Sequence, residues 1–178
     1  MLTAKELGNI LLAILVFAFV TSFPNLNNFS LMLLFGFIVL ILAIIAKKLM
    51  AYYLEIEIEA KIWSFQRYGL YERSYFKTPI PIGIILPFLL SVLSFGYIQW
   101  LGLLQAEEKA SRARVAKRHG FYSFTEMTDS HNALIGASGI FVILLLAIIS
   151  YFFQPISYLS KIAIYYAFWN LLQISKLD

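Results

Sequence analysis

Glu55-Ile-Glu-Ile-Glu-Ala-Lys-Ile-Trp-Ser-Phe-Gln-Arg-Tyr-Gly69 gathers the central charge of an otherwise oily chain. No Gly or Pro stands between Met50 and Tyr68, so we read the preceding helix as running on through this stretch, out of a membrane or along its surface. On such a helix Glu55 and Glu59 share a face, and Glu57 lies four residues before Lys61 in the order that favours an ion pair. Tyr68-Gly69 then caps it.

Working outward, the chain has 178 residues, 61% hydrophobic and 13% charged, with a mean hydropathy of +0.78. That is too apolar and too poorly charged for a soluble domain of this size. The formal net charge is +4, but the basic residues flank apolar runs, as orientation in a bilayer requires, so nucleic acid is not the expected partner. There is no cysteine, which excludes a disulfide, a thiolate metal site and a cysteine nucleophile.

The reading is a single membrane domain over residues 1–178, in a multi-pass protein of the cell membrane. We expect an all-α polytopic fold with four transmembrane helices over about 9–23, 31–54, 132–153 and 156–174. The run 78–104 is broken by Pro79, Pro81, Gly83, Pro87, Gly96 and Gly102. Six basic residues precede it, from Lys47 to Lys77, and five follow, from Lys109 to Arg118. A full crossing would put one block on the wrong side. We therefore favour a re-entrant hairpin turning near Pro87, with a kinked transmembrane helix as the alternative. Residues 106–119 read as a basic helix facing anionic lipid headgroups. In Asn132-Ala-Leu-Ile-Gly-Ala-Ser-Gly139, small residues let another backbone approach closely.

Three patterns, in order, resemble the site-2 protease family of intramembrane zinc metalloproteases, in its archaeal-type form. The close, Ala167-Phe-Trp-Asn-Leu-Leu-Gln-Ile-Ser-Lys-Leu-Asp178, resembles that family's Phe-Asn-Leu-Leu-Pro-Ile-Pro-Pro-Leu-Asp-Gly signature, departing from it at Gln173, Ser175 and Lys176. The run Asn132 to Ala147 is similar to a second family helix, without its Pro and Asn. Gln66-Arg67-Tyr68-Gly69 matches the anchor that follows His-Glu-Leu-Ala-His-Lys.

Counting back from that anchor, the resemblance puts the two zinc histidines at Glu57 and Lys61 and the general-base glutamate at Ile58. Two His four apart on a helix bind zinc, and the Glu takes a proton from the metal-bound water. All three positions have changed. The resemblance implies Asp178 as a zinc ligand and a chain that continues past it. It implies a catalytically degenerate relative, with no bound cofactor expected, that works by holding transmembrane segments of other proteins.

Two alternatives stand beside it. An active zinc metalloendopeptidase would need His131 or a glutamate cluster to meet Asp178. A small transporter or channel would need Glu55, Glu57 and Glu59 along a water-filled path at bilayer depth. Glu126, Asp129 and His131 offer three possible metal ligands, but the plainer reading is a helix cap and a solvated turn. His119, the other histidine, reads as a helix-end cation.

Overall fold

The computed structural model describes residues 3–67, 75–110 and 129–172. In chain order these form α1 (Ala4–Ser22), α2 (Phe29–Tyr53), β1 (Ile56–Ile62), β2 (Phe65–Arg67), β3 (Tyr75–Ile80), α3 (Ile82–Leu93), β4 (Leu104–Ala110), α4 (Asp129–Phe152) and α5 (Ser157–Leu171). Short 3-10 turns, Leu26–Asn28 and Gln154–Ile156, join α1 to α2 and α4 to α5.

The fold is mostly helical but not all-α. Helices α1, α2 with its leading turn, and α4 are long and apolar enough to cross a membrane. The expected fourth, α5, has 15 described residues, about 22 Å at 1.5 Å per residue, which is short of a crossing.

Packing follows side-chain size. α2 lies between α1 and α4, and α5 packs on α4. At Gly36 on α2 a Cβ would stand 2.7 Å from the Phe17 ring. The absent side chain is what lets α1 seat fully buried Phe17 against α2. Phe17 also meets the Tyr166 ring of α5 at 6.2 Å, so three helices converge on one aromatic centre. α1 closes with its own hydroxyls: Thr21 Oγ1 donates to the Phe17 carbonyl at 2.8 Å and Ser22 Oγ to that of Ala18 at 2.6 Å. Both polar groups are thus satisfied inside an apolar helix.

The expected helix over 55–68 is instead strand. α2 stops because Glu55 takes a left-handed conformation, φ 59°, which is uncommon for a residue with a side chain. From Ile56 the chain pairs antiparallel with β4, in the register Ile56↔Ala110 through Ile62↔Leu104. The alternation Glu-Ile-Glu-Ile-Glu-Ala-Lys-Ile has a period of two, which puts the apolar residues on one face of a strand and the charges on the other. Ile56 and Ala60 are accordingly buried while Glu57 is exposed. β2 pairs with β3, Phe65 opposite Ile80 and Arg67 opposite Tyr75, as a second two-stranded sheet. The expected basic helix over 106–119 begins as β4 through Ala110, because β1 supplies the partner edge; its remainder lies outside the described residues.

Residues 78–104 leave the sheet and come back to it. α3, 12 residues long or about 18 Å, starts beside Trp63, whose carbonyl accepts from Gly83 N at 2.8 Å. The chain returns to the same residue, Trp63 N donating to the Leu103 carbonyl at 2.9 Å. The turn lies at Ser94 to Gly96 and not at Pro87, which is buried within α3. It is a Schellman arrangement: Gly96 N donates to the Ser91 carbonyl at 2.8 Å, with Phe95 at φ 51° and Gly96 at φ 84°. Gly96 sits against the Phe23 carbonyl, where a Cβ would be 2.5 Å away. The hairpin therefore reaches from the sheet to the far end of α1, and Tyr97 to Leu103 form a non-helical return arm.

Candidate functional site

Of the positions that the resemblance assigned to zinc chemistry, three are described. Glu57, Ile58 and Lys61 all lie on β1. Four residues along a strand is about 13 Å, against one helical turn, so Glu57 and Lys61 do not pair with each other. Lys61 instead forms a salt bridge to Glu107 on β4, and Glu57 stands opposite Lys109. Ile58 turns inward and lines a small cavity under the sheet.

Gln66 and Arg67 of the anchor are in β2, while Tyr68 and Gly69 lie outside the described residues. Asp178, Glu126 and His119 also lie outside them, and of the Glu126, Asp129, His131 constellation only His131 has a described side chain. Among the described residues no three His, Asp or Glu side chains come together as a metal group. The small-residue run, expected to let another backbone approach, meets a side chain at Gly139 and nothing within 4 Å of the Cβ position at Gly136. Gly139 on α4 faces α2, and the Lys47 stem occupies the space its side chain would fill, with Cε 2.7 Å from the Cβ position.

The structure builds a polar centre elsewhere. Glu6, in the first turns of α1, is 2% exposed. Its Oε1 takes the Lys48 ammonium at 2.6 Å and the backbone N–H of Ala60 at 3.1 Å. One carboxylate oxygen thus ties together α1, α2 and β1. The second, Oε2, is buried without a hydrogen-bond partner.

Local sequence puts Glu6 there. Thr3 caps α1, its Oγ1 accepting from Glu6 N at 3.2 Å. Thr-x-x-Glu is the capping-box pattern, in which the glutamate would ordinarily reach back to the cap residue. Here it reaches across to β1 instead, satisfying an N–H on the strand edge that β4 does not cover. Sequence reasoning missed this residue because it placed the first helix at about residue 9, with Lys5 and Glu6 ahead of it. The Thr3-x-x-Glu6 spacing was the available signal.

A second cluster joins the hairpin base to the helices. Trp63 at the end of β1, Trp100 on the return arm and Trp169 on α5 stack in series, with centroids 6.0 Å and 4.2 Å apart. Trp100 Nε1 donates to the Gly102 carbonyl at 3.3 Å. These are the only tryptophans in the sequence, and all three hold the point where the hairpin leaves the sheet and returns.

Comparison with protein-family models, with curated proteins and with solved structures finds no match.

Proposed function

We propose that this chain is an integral multi-pass membrane protein that binds membrane-embedded segments of other proteins, with the hairpin of α3 and its return arm as the binding element. The observation that carries this reading is the hairpin's one-sided packing. Gly83, Pro87 and Ser91, four residues apart, form its buried face, and among the helices it meets α1. The other side presents Ile85, Leu89 and Val92, and the return arm presents Tyr97 and Ile98.

Apolar surface alone would suit lipid as well as protein. The return arm is the discriminating part, because it is not helical. Non-helical backbone at membrane depth is tolerated where protein or a water-filled cavity covers it, not where lipid does. A transmembrane segment laid along Tyr97 to Trp100 would supply that cover, with side chains on α3 giving it a hydrophobic wall.

The resemblance to site-2 proteases agrees with such a role, and it now rests on the closing pattern from Ala167 and the α4 run. The count back from Gln66 presumed a helix that β1 replaces. In this reading the protein holds a segment and does not cut it.

Photo-crosslinking in native membranes tests the binding site. A photoreactive residue at Leu89 or Ile98 is expected to give discrete protein adducts, while the same residue at Leu145 on α4 gives lipid adducts. Lipid adducts alone at all three positions would contradict the proposal.

A further inference from the structure

Between β1 and the first turns of α1 lies an open cleft of about 810 Å³. That is the size of a small-molecule site, about 300–1,000 Å³. Glu59, Ala60 and Lys61 form its strand wall, and Lys5, Glu6 and Asn9 form the polar part of its helix wall. Gly8 leaves room between them, and the lining ends in Leu12. One turn further on, Leu15 is exposed. Lys5 to Leu12 covers about 10 Å of helix, so the cleft runs from the polar end of a candidate membrane span into its apolar part.

Charges on the lining cancel, Lys5 and Lys61 against Glu6 and Glu59. The salt-bridge partners behind them, Lys48 and Glu107, cancel as well. A ligand with net charge would upset that balance, whereas a zwitterion would not. Within the wall, Glu6 Oε2 is buried and accepts no hydrogen bond among the described residues, and Asn9, three residues on, shares its face of α1. Both side chains can accept from a primary ammonium. A quaternary ammonium is instead recognised by aromatic faces, and no aromatic side chain is among the lining residues.

The geometry points to a site for the headgroup of phosphatidylethanolamine. Its ammonium meets Glu6 Oε2 and the Asn9 side-chain carbonyl, its phosphate meets the Lys5 ammonium, and its acyl chains leave along Leu12 and Leu15. That apolar exit favours a lipid over a soluble zwitterion of the same charge. The inference rests on α1 lying in a membrane and not on what the hairpin of α3 holds, so either reading can fail without the other.

Native mass spectrometry of the full chain tests this, after release from micelles doped equally with phosphatidylethanolamine, phosphatidylcholine and phosphatidylglycerol of matched acyl chains. One phosphatidylethanolamine per chain is expected to be retained, about tenfold over either of the others. A Cβ at residue 8 meets nothing within 4 Å, so Gly8→Phe should fill the cleft and abolish the preference, while Gly8→Ala keeps it. Retention of either other lipid at or above the level of phosphatidylethanolamine, or a preference that survives Gly8→Phe, would overturn the assignment. Displacement of the lipid by an equal concentration of soluble glycerophosphoethanolamine would overturn it too, since the acyl chains would then contribute nothing. If Gly8→Phe does not fold, Lys5→Met at an exposed position decides: loss of the preference supports the site, and unchanged retention refutes it.

Discussion

Replacing Glu6 by Leu is expected to cost about 2–3 kcal/mol of stability. The substitution leaves the Lys48 ammonium, whose side chain keeps 26% of its exposure, without its carboxylate and the buried Ala60 N–H without its acceptor. Part of that cost is the penalty of leaving a half-buried charge and a buried N–H without partners, and not the net worth of the pair. The double variant Glu6→Leu with Lys48→Met should therefore recover much of the loss, since it removes both charges together. Chemical unfolding of the four proteins of this cycle in mixed micelles measures it. Additive losses in the double variant would show that the two side chains do not act as a pair.

Gly83→Ala is expected to cost about 3 kcal/mol or more. A Cβ at residue 83 would overlap the Leu103 carbonyl oxygen and lie 3.0 Å from Trp63 N. Those two atoms are bonded to each other at the hairpin base, so neither can yield as a flexible side chain would. Overpacking costs about 1–3 kcal/mol, and the two backbone hydrogen bonds on Trp63 add about 1 kcal/mol each if lost. Gly136→Ala is the matched control: nothing lies within 4 Å of its Cβ position, and alanine favours a helix interior over glycine by up to about 1 kcal/mol. Equal unfolding midpoints for the two variants would show that the hairpin base is not closely packed.

These two expectations also show what the sequence makes legible. The helical runs and the short connection between α1 and α2 follow from apolar length and polar turns, because in such a chain hydropathy dominates every local choice. The hairpin follows from counting basic residues on either side of 78–104. Its turn does not, since Pro87 looks like a breaker yet serves as a small buried contact on the face that meets α1.

The stretch from Glu55 is the instructive error. Its i, i+4 charge pattern suits a helix and its period-two apolar pattern suits a strand, and the distant β4 edge decides between them. Local propensity yields there to pairing that a single sequence does not display. Glu6 was hidden for a related reason. Its near partner is a cap, whereas its structural partners, Lys48 and Ala60, are remote in sequence. The count that put the zinc positions at Glu57, Ile58 and Lys61 presumed helical spacing, which β1 does not give.

The central claim is that residues 78–104 dip from the sheet and return to the same side, rather than crossing. The chain has no cysteine, so a single introduced one reports without ambiguity. Lys77→Cys and Glu107→Cys flank the hairpin, and Asn27→Cys marks the opposite end of α1, all at exposed positions. A membrane-impermeant maleimide applied to sealed vesicles of either orientation should label positions 77 and 107 from the same side and position 27 from the other. Labelling of 77 and 107 from opposite sides would mean that the segment crosses, and would contradict the account.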